Sequence, residues 1–317
     1  ADLELEVLSH VTEEEIAAMK CYHDSHEIHV SRSQSGYIFD IQVCVSAGDA
    51  SAMIRIAGNH TNVISIVKNG EVLLAKEYEE STDSEDAAYD VLNVEDIVAF
   101  ADEVDIEDVR EVLDRQIRFN TAISQEGLTG KWGAAIGRVL LDAYGDSVAN
   151  RAKAAAAAGS DARMSGCEMP VIINSGSGNQ GMTASLPVLV YAKELKADDE
   201  LLYRSLVVSN LTTIHLKNGI GRLSAYCGAT SAGCGAGAGI TYLYGGKANE
   251  IAHTIVNAVA IDSGMICDGA KPSCAAKIAS AVEAGLLGMQ MQRQGKEFFG
   301  GDGIIVHGVE NTLRNIG

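Results

Sequence analysis

Basic side chains are scarce in this sequence: 24 Lys and Arg stand against 43 Asp and Glu, for a formal net charge of −19. Nucleic-acid binding needs a basic footprint along the phosphates, and none is visible, so that class of partner is excluded. Long apolar stretches are missing too. No run of about eighteen apolar residues free of charge occurs, so no membrane-spanning helix is expected. The start of the chain lacks a basic-then-apolar leader, which leaves the cytoplasm as the default compartment. Only three prolines punctuate the 317 residues. The cysteines lack a C-x-x-C pair: Cys267 and Cys274 are seven positions apart, too wide for a zinc knuckle or a redox dithiol.

What is present supports a sizeable core. Hydrophobic residues make up 47% of the chain, and the length suits one large domain or two smaller ones. The seven cysteines are Cys21, Cys44, Cys167, Cys227, Cys234, Cys267 and Cys274. An odd number without a secretory signal predicts free thiols, metal ligands or catalytic groups and not a disulfide frame. Acidic residues crowd one region, with sixteen acids and a single base, Arg110, between Glu77 and Asp114. Such a run reads as a solvated face or a linker.

Periodicity divides the chain. Runs such as "HEIHVSRS", "YIFDIQVCVS", "SAMIRIAG", "NVISIVKNG" and "EVLLAKEYEES" alternate with a period near two and are rich in Val and Ile. Asn69-Gly70 is a hairpin signal. Residues 11–23 read as a helix whose start carries a capping box, Thr12 with Glu15. After about residue 90 apolar residues recur at three- and four-residue spacing to the end. The expected architecture is α+β: a small N-terminal antiparallel α/β layer over 1–88, then a larger all-helical domain over 89–317. The Gly-Ala stretch "CGATSAGCGAGAGITYLYGG" predicts close approach between buried helices and is too poor in Leu and Phe to enter a bilayer.

Three places could carry chemistry. "NSGSGNQGMTASLPV" holds a G-x-G-x-x-G at Gly176, Gly178 and Gly181. A dinucleotide fingerprint also needs a preceding parallel strand, a long helix and a later acid at a strand end. Pro187 should interrupt the first turns of any helix here, and the later acids lie in the polar turn "KADDE". What remains is a glycine-rich turn carrying Ser175, Ser177, Asn179 and Gln180 that leads into an apolar helix. It is either a tight turn or an anion-binding loop. In "GNHTNV", His60 beside Thr61 and Asn62 could hold a carboxylate or carry a proton, or be a solvated turn histidine. Cys227, Cys267 and Cys274 are compatible with a metal or cluster site, for which thiolates select zinc or iron–sulfur.

"SGSGNQG", "RLSAYCGATSAG", "DSGMICDGAKPSCA" and "GDGIIVHGVE" resemble, in this order, the L-cysteine desulfidase family, which is related to the α-chain domain of bacterial iron–sulfur L-serine dehydratases. "GNHTN", "SQEGLTGKWG" and "GSDARMSG" match as well, so the likeness covers almost the whole chain. The resemblance implies an oxygen-sensitive [4Fe–4S] cluster with Cys227, Cys267 and Cys274 as ligands and one iron open to substrate. It implies a lyase that converts L-cysteine to pyruvate, ammonia and hydrogen sulfide. L-serine dehydration with the same cluster is the alternative, and a non-catalytic metal-binding protein of the same fold is a third reading. Ser175, Gly176, Ser177, Gly178, Asn179, Gln180 and Gly181, with Thr61 and Asn62, are the expected substrate contacts, facing the cysteines across a pocket. His60 is expected to orient the substrate's carboxylate or ammonium group. The expected partner is a small amino acid, and a homo-oligomer is allowed. Cys234 is expected in the core. Family members also carry an N-terminal Cys-Thr-Glu-Pro motif whose cysteine is their proposed base. It has no counterpart here, and the chain opens on Ala1 in what reads as the interior of a longer sequence, so the chain as it stands is expected to lack part of the machinery.

Overall fold

The structure, a computed structural model, describes residues 11–37, 39–58, 61–78, 89–221 and 224–316. The chain forms two compact units, 1–84 and 85–317.

The first unit is a helix and a four-stranded antiparallel meander. Helix α1 (Glu13–Ser25) starts on Thr12, whose hydroxyl accepts the Glu15 N–H while the Glu15 carboxylate accepts the Thr12 N–H at 2.8 Å. Strands β1 (Asp40–Ala47), β2 (Ala50–Ala57), β3 (Val63–Lys68) and β4 (Glu71–Ala75) pair in sequence order. Asn69 and Gly70 both take positive φ between β3 and β4, as a two-residue hairpin turn of the mirror-image type demands. Asp40 and Arg55 form an ion pair across β1 and β2 at 2.9 Å. The "HEIHVSRS" run departs from expectation. It forms no strand, and Val30 in its middle is almost wholly exposed. Its alternation lacks a face to bury, so pairing has nothing to gain.

The second unit is all helix among its described residues. Helices α2 (Val94–Glu103), α3 (Ile106–Thr129), α4 (Ile136–Tyr144) and α5 (Val148–Met164) lead to α6 (Gly178–Leu195) and α7 (Asp199–Ile220). Then follow α8 (Gly228–Leu243), α9 (Ala248–Asp262), α10 (Cys274–Arg293) and α11 (Val309–Ile316). The Gly-Ala helix α8 is the axis of the unit, with fourteen of its 16 residues buried. Its small residues let neighbours come to backbone contact. A Cβ on Gly233 would sit 2.2 Å from the Ala281 carbonyl oxygen, and one on Gly237 would sit 2.7 Å from that of Gly285. Since 233 meets 281 and 237 meets 285, α8 and α10 run parallel. Gly228 meets Gln180 and Gly239 meets Val188, so α6 runs parallel to α8 as well. Gly235 meets Ser209 and Thr213 whereas Gly239 meets Ser205, so α7 runs the other way. The starts of α6, α8 and α10 therefore lie at one end of the unit.

Pro187 does not break its helix. It sits inside α6, fully within the buried segment from Gly178 to Val188 that the neighbouring helices enclose. The missing N–H removes one helical bond, and burial of the surrounding apolar face outweighs it. No helix among the described residues is long and apolar enough to cross a membrane.

Candidate functional site

The glycine-rich stretch resolves into a turn and a helix start. Asn174 and Ser177 exchange backbone hydrogen bonds at 3.1 and 3.0 Å, closing a two-residue turn in which Ser175 and Gly176 both have positive φ. The Ser175 hydroxyl donates to the Asn174 carbonyl oxygen, Oδ1, at 2.8 Å, so that side chain is engaged within the turn. Asparagines from other helices, one fully buried and one partly so, pin the segment. Asn120 of α3 accepts from the Ile172 N–H at 2.8 Å, and Asn174 donates to Asn210 of α7 at 2.9 Å. Gly181 has no room for a side chain, because a Cβ would lie 2.0 Å from the Ile172 carbonyl oxygen. The three glycines thus serve a turn, a close approach to Arg163 and a close approach to Ile172, and no strand precedes them as a dinucleotide site requires.

The cysteines come from two segments that pair. The Cys227 N–H donates to the Met265 carbonyl at 2.9 Å, the Cys267 N–H donates to the Ala225 carbonyl at 2.8 Å, and Tyr226 bridges Ile266 between them. In this antiparallel register Cys227 and Cys267 are diagonal neighbours on one face of the ribbon. Cys227 then caps α8, and Cys274 opens α10 with the Lys271 N–H 3.5 Å from its sulfur. Burial raises the Cys227 thiol above its ordinary pKa, the Ala229 N–H opposes that, and Cys267 and Cys274 both add to it. Cys267 and Cys274 thus each lie within electrostatic reach of Cys227. Cys234 is buried in the core, where desolvation pushes its thiol far up; Cys21 and Cys44 are exposed, and Cys167 packs against the core.

The two motifs meet at the shared helix end. A Cβ on Gly228, the residue after Cys227, would lie 2.5 Å from the Gln180 amide. Gln180 is only 7% exposed, and its carbonyl oxygen has no hydrogen-bond partner. Asn179 accepts from the Arg163 guanidinium at 3.3 Å, and the Cys274 thiol lies within electrostatic reach of that guanidinium. Lys217, at the end of α7, donates to the Gly221 carbonyl at 2.6 Å; burial lowers its pKa, and Cys267 and Cys227 raise it. Lys277 donates to the Ile266 carbonyl at 2.8 Å and pairs with Asp268, whose carboxyl Lys271 and Lys277 hold well below the usual range. An acidic chain thus concentrates three cations around three thiols.

None of the three helix starts here is closed by a side chain, since Ser177, Cys227 and Ser273 make no cap hydrogen bond. N–H groups at the starts of α6 and α8 and the positive ends of three helix dipoles are left facing the cysteines, which favours an anionic group there, while at α10 the Cys274 and Ala275 N–H groups donate to the Lys271 and Pro272 carbonyls. Asp262, the last residue of α9, accepts from the hydroxyl of Thr230 in the first turn of α8, and burial pushes its carboxyl up to about 6. A shallow, mainly apolar cleft lined by Leu216, Ile220, Tyr226, Thr230, Val259 and Leu313 opens beside this end.

Among the described residues no three His, Cys, Asp or Glu side chains stand close enough together to hold a single metal ion. As a donor set the three thiols fit an iron–sulfur cluster in kind: soft sulfur ligands, Cys227 and Cys274 partly buried and Cys267 exposed, with cations and open N–H groups to offset their charge. In the first unit, Asn62 donates to the Ala57 carbonyl at 2.9 Å and closes the β2–β3 turn, with Thr61 exposed beside it. His60 lies outside the described residues.

The serine dehydratase alpha chain family matches residues 2–317. The chain belongs to that family. It is 56% identical to a UPF0597 protein of Desulfitobacterium hafniense over all of this chain and 74% of the relative. It is 48% identical to one of Finegoldia magna and 49% identical to one of Lachnoclostridium phytofermentans, again over the full chain and 76% of each relative. The chain therefore spans about three quarters of their length. Membership places it with serine dehydratase-like lyases. The loop and the thiols stand out in the sequence by type and spacing, whereas Arg163, Lys217, Lys277, Asn120 and Asn210 do not. Arg163 could have been found in "GSDARMSG", a basic residue amid small ones in an acidic chain.

Proposed function

We propose that this chain carries the catalytic core of an iron–sulfur-dependent β-eliminating lyase that acts on L-cysteine, giving pyruvate, ammonia and hydrogen sulfide. The observation that carries this reading is the meeting of three uncapped helix starts, three thiols and three cations at one end of the helical unit. Cys227, Cys267 and Cys274 would hold the cluster, which when bound supplies a Lewis acid for the leaving sulfur. The chain's own residues hold and orient the amino acid. N–H groups at the start of α6 face its carboxylate, and the unpartnered Gln180 oxygen accepts from its ammonium group. Fixing both ends aligns the Cα–H and Cβ–S bonds for elimination, and orientation of this kind is worth up to about 7–11 kcal/mol in favourable cases. Loss of the Cα proton and of the thiolate leaves aminoacrylate, which water converts to pyruvate and ammonia.

The family description favours a second reading, L-serine as substrate, in which water leaves in place of sulfide. Anaerobic purification with an absorbance scan for a cluster, followed by sulfide release from L-cysteine and pyruvate release from L-serine under one set of conditions, decides between them. A protein that is folded and cluster-loaded yet releases pyruvate from neither amino acid overturns the lyase reading.

A further inference from the structure

Arg163 occupies an electrostatically awkward place. It belongs to the last turn of α5, where a cation suits its own helix, but its side chain runs under the start of α6. A Cβ on Gly178 would lie 2.7 Å from its Nε and 3.2 Å from its Cδ, so the absence of a side chain at 178 is what lets the guanidinium in. There it faces the positive end of the α6 dipole. Among the described residues its hydrogen-bond partner is a neutral amide, the Asn179 oxygen at 3.3 Å, no carboxylate acts on it, and the ionisable group within electrostatic reach is the Cys274 thiol. Half-buried arginines are ordinarily matched by a carboxylate or a phosphate, because a desolvated guanidinium without an anion is costly. The first turn of α6 also holds the buried Gln180 oxygen without a partner. A cation without a carboxylate partner and an acceptor without a donor, met at one turn, are complementary to the two ends of a zwitterion.

We infer that Arg163 is the substrate-binding residue that receives the α-carboxylate, with Asn179 fixing the orientation of its guanidinium. This rests on the proposed function and assigns within it a residue that neither the thiols nor the glycine-rich loop supplies. Five fixed donors in a plane accept a carboxylate in a paired, two-bond geometry that lysine cannot copy.

The test compares L-serine with L-serinamide, which differs in lacking the carboxylate charge, by calorimetric titration of the anaerobically purified chain and its Arg163→Gln and Arg163→Lys variants. The unaltered chain should prefer L-serine by about tenfold or more, the worth of a charged hydrogen bond. Arg163→Gln should lose that preference while still binding L-serinamide as before, which a merely structural role would not produce. Arg163→Lys should keep a reduced preference, and it decides the matter if the glutamine variant fails to fold. An unchanged preference in the variants, or no preference or no binding in the unaltered chain, overturns the assignment. The outcomes separate from those of the lyase reading. Carboxylate-selective binding without pyruvate formation defeats the lyase and leaves Arg163 in place, whereas pyruvate formation with selectivity untouched in Arg163→Gln does the reverse.

Discussion

The helix starts of this protein, that of α11 aside, fall into two groups. Thr12, Asn93, Asp105, Ser147 and Asp198 each accept a first-turn N–H of α1, α2, α3, α5 and α7. Two further starts are served otherwise, since Asp161 accepts the Gly137 N–H of α4 and Glu250 reaches back to the Lys247 N–H before α9. The starts of α6, α8 and α10 have no such partner, and they are the three that lie together around the cysteines. Capping is worth about 1 kcal/mol per helix, so leaving three ends open at one place forgoes stability where the others take it. Open N–H groups are the feature a bound anion can use. The difference separates ends that hold the fold from ends available to a ligand.

The comparison is broken most severely at the thiols. Cys227→Ser, Cys267→Ser and Cys274→Ser should each abolish bound iron and the cluster absorbance. Loss of groups that only support ligands costs about 10–100-fold, so removing a ligand should lower activity further still. Cys234→Ala, in the core beside them, should leave iron content unchanged. Iron analysis of the four anaerobically purified variants checks this, and a cluster that persists without Cys267 would remove the assignment.

Next in size is the packing that brings the open ends together. Gly233→Ala puts a Cβ 2.2 Å from the backbone oxygen of Ala281, which cannot yield as a flexible side-chain tip would. Overpacking of this kind costs about 1–3 kcal/mol and occasionally more. Denaturant unfolding should show the loss. Gly264→Ala, where nothing stands within 4 Å, should show almost none.

Asp262 gives a smaller, pH-dependent effect. Its carboxyl titrates near 3.8 when unperturbed and is pushed up to about 6 in the fold, chiefly by burial. The folded state therefore holds this proton more tightly than the unfolded chain. Between roughly pH 4 and pH 6 the contribution of Asp262 to stability falls as pH rises, and the full penalty is present above 6. Asp262→Asn keeps an acceptor for Thr230 and removes the charge. It should stabilise the protein by on the order of 1–2 kcal/mol at pH 7.5, after allowing for partial solvent access, and by nothing near pH 4. Equilibrium unfolding of both forms at the two pH values measures the gap, and a gap of equal size at both would contradict the burial argument.

Much of this was legible in the sequence where local chemistry decides structure. The Thr12–Glu15 box, the Asn69-Gly70 hairpin and the helical spacing after residue 90 each act over a few residues, and each formed as read. The run at 26–33 misled because alternation marks a strand only when one of its faces is covered, and coverage is a tertiary property. Pro187 misled for a related reason: its local cost was legible, and the enclosing helices that outweigh it were not. At the site, the glycines and cysteines stood out by type and spacing. Arg163 and Lys217 did not, because nothing in their neighbours along the chain says that a helix start from a distant segment will meet them.

The smallest effect is the sharpest test of the two groups of helix starts. Asn93 accepts the Asp96 N–H at 2.9 Å, so Asn93→Ala should cost about 1 kcal/mol. Ser177 and Ser273 stand at the corresponding position of α6 and α10 without a cap bond, so Ser177→Ala and Ser273→Ala should each cost only a few tenths. Chain position alone predicts the opposite ranking, since serine is among the preferred capping residues. The N–H groups at the start of α6 are then available whether or not the serine is present, whereas those of Cys274 and Ala275 at α10 stay on the Lys271 and Pro272 carbonyls. If the open end of α6 serves a ligand, a saturating carboxylate amino acid should raise the melting temperature of Ser177→Ala as much as that of the unaltered chain. If Ser273→Ala or Ser177→Ala instead loses as much stability as Asn93→Ala, those helices are capped in solution after all, and the distinction between the two groups disappears.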